Sequence, residues 1–407
     1  MKIVGIVAEY NPLHNGHKSH LERSKEISGS KFVVVVMSGN FVQRGEPALC
    51  DKWRRTEMAI RAGADLVIEL PVRYATAGAG YFAGGAVRLL ERTGIVDCMC
   101  FGSEWADIAP LKKCAEELLE ENDTFKEGLR YYLGQGLSYP AARARAARVI
   151  LPDAPNNVLG VEYIIALMAL ESKIVPYTVP RAPVSAKEIR TALKKTSGCG
   201  KPQIDRHTEG SAGQPVTNCN RLNMSEYMPP FAGDILGEAA KAHGLADLDN
   251  LSSVFHFLLR TNLNLKDFAD VSEGLENRLI KAEKGSRLIS EIVAAAKTKR
   301  YTYLRLQRAA LHMILGITKK DMEKEPQYIR VLGFSQPSLL RMLKERAVLP
   351  VVLNLKNAVL PPIAAEMLEQ EIQSSAVYSL AYPEWVYFNE YAMPLVKIPA
   401  ESTEPAD

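Results

Sequence analysis

A chain of 407 residues is long enough for two domains, or for one large α/β domain with an appendage. Its 47% hydrophobic and 24% charged residues are the ordinary balance of a soluble globular protein, and the net charge of +3 suits an RNA partner without pointing to one. Apolar runs such as 32–37 and 351–355 are far too short to cross a bilayer, and no cationic region leads into a cleavable apolar segment, so no membrane association and a cytoplasmic protein are expected.

In chain order, short β-branched runs predict strands at 3–8, 32–37, 66–70, 96–101 and 174–177. Amphipathic segments between and after them predict helices at 17–27, 52–62, 77–92, 111–120, 141–149 and 159–170. Continuous apolar strands alternating with helices indicate an α/β fold, a parallel sheet with helices on both faces. Such sheets bind ligands at the carboxyl ends of their strands. Residues 1–195 form this domain. A stretch rich in Gly, Ser, Thr, Asn and Pro then makes 196–225 a linker or loop, and 226–407 is a mainly α-helical domain by pattern, with a frayed tail from 400. The six cysteines (50, 98, 100, 114, 199 and 219) include no CxxC or zinc-like spacing and read as free thiols, with Cys98 and Cys100 on one face of a strand.

Directly after the first strand comes Glu9-Tyr10-Asn11-Pro12-Leu13-His14-Asn15-Gly16-His17, opening the first helix. At a β–α junction, His14-x-Gly16-His17 has a clear chemical use. Gly16 lets the backbone approach phosphate, and the helix N-terminus turns N–H groups and a positive dipole end toward it. Two imidazoles can then donate to an α-phosphate as negative charge builds on it. The bland reading is a turn with incidental histidines, and the position after the first strand favours the chemical one. A second signal, Val184-Ser185-Ala186-Lys187-Glu188-Ile189-Arg190, opens a helix running to Lys194. Ser185 and Glu188 also suffice for a capping box.

The first motif is the HxGH pattern of α/β nucleotidyltransferases and class I tRNA synthetases, and the second resembles their SxTxIR motif. Further segments extend the likeness: Met37-Ser38-Gly39-Asn40-Phe41-Val42-Gln43-Arg44-Gly45-Glu46-Pro47-Ala48, Asp51-Lys52-Trp53-Arg54-Arg55-Thr56-Glu57, Ala64-Asp65-Leu66-Val67-Ile68-Glu69-Leu70-Pro71, Phe101-Gly102-Ser103-Glu104, Pro155-Asn156-Asn157-Val158-Leu159-Gly160, Lys297-Thr298-Lys299-Arg300-Tyr301-Thr302, Leu306-Gln307-Arg308 and Tyr328-Ile329-Arg330-Val331-Leu332-Gly333-Phe334. Together they resemble the bacterial tRNA(Met) cytidine acetate ligases over nearly the whole chain.

That resemblance implies a Rossmann-like, HUP-type nucleotidyltransferase sheet that binds ATP, with Mg²⁺. Val7, Ala8, Glu9, Tyr10, Asn11, Pro12, Leu13, His14, Asn15, Gly16, His17, Lys18, Ser19 and His20 would cradle the nucleotide. Gly102, Asn156 or Asn157, Arg181 and Arg190 would complete its site, with His14 and His17 catalytic. Two departures stand out. Lys187 replaces the family's usual Thr, and only a few residues separate Arg181 from Ser185. Gln43, Arg44 and Lys52 are candidates for acetate or pyrophosphate, and Glu46 and Asp51 for Mg²⁺ directly or through water, each equally readable as a solvated loop residue. Lys297, Lys299, Arg300 and Arg308, close to Tyr301 and Tyr303, would meet tRNA(Met), although alone they read as a solvated helix face. His207, His243, His256 and His312 lack ligand spacing and read as structural or surface residues.

By resemblance, acetate and ATP give acetyl-adenylate, and the wobble cytidine amine of elongator tRNA(Met) takes the acetyl group. Two rival readings remain: an adenylyltransferase of coenzyme biosynthesis, disfavoured by the large helical part, and an RNA-binding scaffold without activity, disfavoured by the intact His14, Gly16 and His17.

Overall fold

A computed structural model describes residues 1–120, 123–137, 139–147, 154–182, 186–197, 224–261 and 264–399. Ten strands are present among them: β1 (Ile3–Ala8), β2 (Phe32–Ser38), β3 (Phe41–Val42), β4 (Glu46–Pro47), β5 (Leu66–Leu70), β6 (Cys98–Ser103), β7 (Val175–Pro180), β8 (Ile329–Phe334), β9 (Val351–Val352) and β10 (Val396–Lys397). The main sheet runs β10-β8-β5-β2-β1-β6-β7, with β9 also paired to β8. From β5 to β7 all pairings are parallel, whereas β8 lies antiparallel to β5. β3 and β4 form a separate antiparallel hairpin.

The central strands are apolar on both faces because both faces are covered. Val34, Val36, Leu66 and Ile68 pack against helices Ala79–Arg92, Ile108–Glu120 and Pro155–Ala169. Val33, Val35, Met37 and Val67 face the opposite layer, where Leu21, Met58, Ile60 and Ile235 come from helices Asn15–Ser28, Lys52–Arg61 and Pro230–His243. All five strands expected from the sequence are present, β6 and β7 lying slightly later than predicted. Cys98 and Cys100 are buried together on β6, and Cys50 and Cys114 are also buried, none of the four in a disulfide. Cys199, Cys219, His207, Ser185 and most of the expected linker lie outside the described residues.

The second part contains the helices its pattern suggested, among them Ser252–Thr261, Leu275–Glu283, Ile289–Ala296, Tyr303–Leu315 and Pro362–Ser379. It also returns three strands, β8, β9 and β10, to the sheet. β8 was not foreseen, yet Ile329 and Val331 face one core and Leu332 the other, which is the signature of a strand sandwiched between two layers. The β8–β5 register sets Arg330 opposite Glu69. A third core joins the two parts. Phe41, Trp53 and Val72 from the first pack among Leu306, Leu311, Tyr378 and Phe388 from the second.

Candidate active site

At the carboxyl ends of β1, β6 and β7 lies a cavity of about 490 Å³. Of the residues expected at the nucleotide and substrate, Val7, Ala8, Glu9, Tyr10, His14, Gly16, His17, Ser19, His20, Gln43, Arg44, Gly102, Asn156, Arg181 and Arg190 line it. His14 precedes helix Asn15–Ser28 in extended conformation, and Gly29 ends that helix in the left-handed region at φ 63°. The two imidazoles stack, with centroids 3.6 Å apart and planes 19° apart. The His14 backbone N–H donates to His17 Nδ1 at 3.2 Å. An accepting Nδ1 puts the His17 proton on Nε2, leaving that N–H as a donor.

Two glycines shape the walls. A Cβ on Gly16 would lie 2.8 Å from Ala182 Cβ and 3.0 Å from the His14 ring, so any side chain there would wedge the helix start away from the strand-end loop. A Cβ on Gly102 would meet no atom within 4 Å, because the residue fronts open cavity. Arg23, Arg44, Arg181, Lys187 and Arg190 bring cationic groups to the same space. Buried His14 Nδ1, His20 Nε2 and the Tyr10 hydroxyl have no hydrogen-bond partner among the described residues. Leaving buried polar atoms unpaired costs about 1–3 kcal/mol each, and a polyanion with a nucleoside would relieve part of that. Donor set and shape both fit ATP.

Comparison with known proteins agrees with this geometry. Residues 1–391 match the family model described as HIGH Nucleotidyl Transferase. A tRNA(Met) cytidine acetate ligase from Acetivibrio thermocellus is 41% identical over 94% of this chain and 95% of its own length. Another, from Caldanaerobacter subterraneus, is 39% identical over 98% of this chain and 100% of its own. The crystal structure of Thermotoga maritima TmcAL bound with alpha-thio ATP superposes with a TM-score of 0.86 at 30% identity, covering 98% of this chain and 100% of that one. The chain belongs to the tRNA(Met) cytidine acetate ligase family.

For a member of this family, the electrostatics of the cavity are instructive. Burial, reinforced by the Arg181 charge, pushes His14 down to about 4. Burial holds His17 well below its ordinary value, with His14, His20 and Arg181 adding to the effect. Burial takes His20 to about 4. The histidines of the cavity are therefore neutral at pH 7 and not fixed cations; the positive charge there comes from the arginines and Lys187. Glu104 organises the far wall: its Oε1 accepts from Asn156 Nδ2 at 2.7 Å and pairs with Arg181 at 3.4 Å, while Oε2 accepts the Asn157 N–H at 3.0 Å.

Several expected residues support the cavity from outside it. Asn11 Oδ1 accepts the Leu49 N–H at 2.9 Å, Leu13 is buried in the core beneath, Pro12 is buried, Asn15 reaches the Glu226 carbonyl at 3.1 Å, and exposed Lys18 pairs with Glu22 at 4.0 Å. Asn157, not Asn156, is wholly buried, and its Oδ1 holds the Glu104 and Trp105 N–H groups at 2.9 and 3.2 Å.

Lys52 requires a correction. Expected at acetate or pyrophosphate, it is sealed in the core with its ammonium 2.5 Å from Glu69 and 2.6 Å from Glu390. Asp51 likewise caps helix Lys52–Arg61, accepting the Arg54 N–H at 3.0 Å and pairing with the Arg54 guanidinium, while Glu46 pairs with Arg190 at 3.3 Å. Neither carboxylate is set out as part of a ligand cage, and no cluster of three or more His, Cys, Asp or Glu suited to a metal occurs among the described residues.

Sequence reasoning overlooked Arg23 and the apolar walls Phe82, Phe101, Leu159 and Tyr163. Arg23 was within reach: Gly16, Ser19, His20 and Arg23 follow helical spacing and share one face. Lys187, standing where the family usually has Thr, reaches the same cavity with its longer side chain.

The RNA candidates divide. Lys297, Lys299 and Arg300 are exposed, Arg300 pairing with Glu273 at 2.8 Å. Arg308 is mostly buried and held by Asp270 at 3.0 Å. Tyr301 cannot offer a stacking face, because it is buried and its hydroxyl donates to the Glu273 carbonyl at 2.7 Å. His256 pairs with Glu283 at 2.6 Å, and buried His312 meets Thr76 Oγ1 at 3.1 Å, as structural histidines do.

Proposed function

We propose that the protein activates acetate with ATP as acetyl-adenylate and transfers the acetyl group to the N4 amine of the wobble cytidine of elongator tRNA(Met), giving N4-acetylcytidine. The observation that carries this reading is the stacked His14–His17 pair at a helix N-terminus, inside a cavity ringed by five cationic side chains. An acetate oxygen attacks the α-phosphorus, and pyrophosphate leaves with the electrons of the broken P–O bond. The His17 Nε2–H, His14 and the helix-start N–H groups stabilise charge on the α-phosphate oxygens, while Arg190, Lys187 and Arg44 hold the departing pyrophosphate. Acetate needs no base, being ionised at neutral pH. Mg²⁺ accompanies the triphosphate. The setting is the cytoplasm, and no described helix is long and apolar enough to cross a membrane.

The test needs only purified protein. With Mg²⁺, ATP and acetate but no tRNA, labelled pyrophosphate should exchange into ATP, and omitting acetate should stop the exchange. Butyrate should support it poorly if the pocket fits a methyl group, since each added methylene must find room worth roughly 1 kcal/mol or more. Exchange that required a phosphorylated small molecule in place of acetate would make the protein a coenzyme adenylyltransferase.

For the RNA half, Lys297→Ala with Lys299→Ala should weaken tRNA binding and leave ATP affinity unchanged. Loss of two phosphate contacts should flatten the slope of log affinity against log salt by roughly 1.4–1.8. An unchanged slope in a filter-binding titration would return these lysines to an ordinary solvated face.

A further inference from the structure

The second half-reaction leaves a proton without a destination. When the cytidine amine attacks the acetyl carbon and the carbon–oxygen bond to AMP breaks, AMP takes the bonding electrons. The new amide nitrogen must then shed one hydrogen as a proton. We infer that Glu9 accepts this proton, which makes it a further catalytic residue of the transfer step; the inference rests on the ligase reading above.

Three observations place Glu9 there. It lines the cavity at the end of β1, five residues before His14. One carboxylate oxygen is fixed by the Gln43 N–H at 2.9 Å, while the other has no hydrogen-bond partner among the described residues. The Glu9 carbonyl is itself clamped by the buried guanidinium of Arg55, which donates to it at 2.7 Å and also to the carbonyls of Ser38, Gly39 and Cys50. The carboxylate is thus rigidly aimed with one oxygen left over.

The same turn that holds Glu9 touches the RNA-facing part. The Arg44 carbonyl accepts from Gln307 Nε2 at 2.9 Å, and Gly45, at φ 79°, lies so close that a Cβ would sit 2.7 Å from the Arg308 nitrogen. Glu9 therefore stands between the helix start that receives the α-phosphate and the helix Tyr303–Leu315 that follows the exposed lysines.

The groups facing Glu9 are Arg44 and Glu46 on the hairpin, Arg190 on helix Ala186–Ser197 and Tyr163 on helix Pro155–Ala169. Burial raises the Glu9 carboxyl above its ordinary range, against the pull of the Gln43 N–H and the two arginines. A more basic carboxylate is a better acceptor for an N–H proton.

The experiment is single-turnover acetyl transfer from synthetic acetyl-adenylate to tRNA(Met) across pH, which bypasses activation. The wild-type rate should fall as pH drops through the Glu9 ionisation. Glu9→Gln should slow transfer by roughly 10²–10⁴-fold and abolish that limb. Glu9→Asp should restore part of the rate with the limb retained. Should Glu9→Gln not fold, Arg44→Gln decides: removing a cation that favours the carboxylate should move the limb to higher pH. A Glu9→Gln rate within about threefold of wild type with the same limb, or a limb unmoved by Arg44→Gln, overturns the assignment. Absence of transfer by the wild type under every condition overturns the ligase reading instead.

Discussion

His17→Ala should slow acetate-dependent pyrophosphate exchange by roughly 10²–10³-fold, the cost of losing one donor to charge that develops in the transition state. The expectation follows from the fixed tautomer. With Nδ1 engaged by the His14 N–H at 3.2 Å, the free Nε2–H is the group left to meet the α-phosphate. The same substitution removes that acceptor at the helix start, so a stability loss of about 0.5–2 kcal/mol should accompany it. His17→Asn separates the two effects. Its carbonyl can still accept from the His14 N–H, so stability should return nearly to wild type, while its shorter amide donor recovers only part of the rate. Because His14 is held at about 4 and His17 well below its ordinary value, the profile of kcat/KM for ATP should show no histidine limb near pH 6.5. Exchange by His17→Ala within a few fold of wild type would remove the imidazole from the chemistry.

Much of this site was legible because one segment both ends a strand and starts a helix. The residues from Val7 to His20 are close in sequence, so periodicity and motif together set their places. The rest depends on the fold. Lys52 looked available for a substrate because a lysine at a helix start after a polar loop is normally solvated. Glu371 and Ser375 on helix Pro362–Ser379, and Glu390 beyond it, close over it from hundreds of residues away. β8 itself was missed because Ile329-Arg330-Val331-Leu332 is too short for periodicity to identify, and its arginine argues against a central strand until Glu69 is seen opposite. The apolar cavity walls Phe101 and Tyr163 read as ordinary core residues, and pack together as such at 5.6 Å between centroids.

Lys52→Met should destabilise the fold by about 3–5 kcal/mol, the usual cost of removing one partner from a buried ion pair. The ammonium is wholly buried between Glu69 at 2.5 Å and Glu390 at 2.6 Å, with Glu371 at 3.9 Å. Arg330 closes the network on Glu69 at 3.1 Å and on Glu390. Two cations thus face three carboxyl groups, and the structure balances them by keeping one proton. Burial, with the neighbouring Glu69 charge, pushes Glu371 up to about 8. Burial acts in the same direction on Glu390, but Lys52 and Arg330 override it and bring that carboxyl down to about 2. The two titrations have opposite consequences. Glu390 contributes stability that is present above its ordinary pKa and is lost as pH falls toward 2. Glu371 holds a proton in the fold that the unfolded chain releases above its ordinary value of 4.5, so its contribution declines as pH rises from there to about 8. Glu371→Gln keeps the shape without the titration and should flatten that decline in urea midpoints measured between pH 5 and 8. The network ties β5, β8 and helix Pro362–Ser379 together beneath the Gly39 turn, where a Cβ would lie 2.6 Å from Glu69 and 2.9 Å from Glu371. Lys52→Met should therefore also loosen the hairpin that carries Gln43 and Arg44, raising KM for ATP along with the loss of stability. A Lys52→Met protein whose urea midpoint matches wild type would show that the buried carboxyl groups are protonated without their cation.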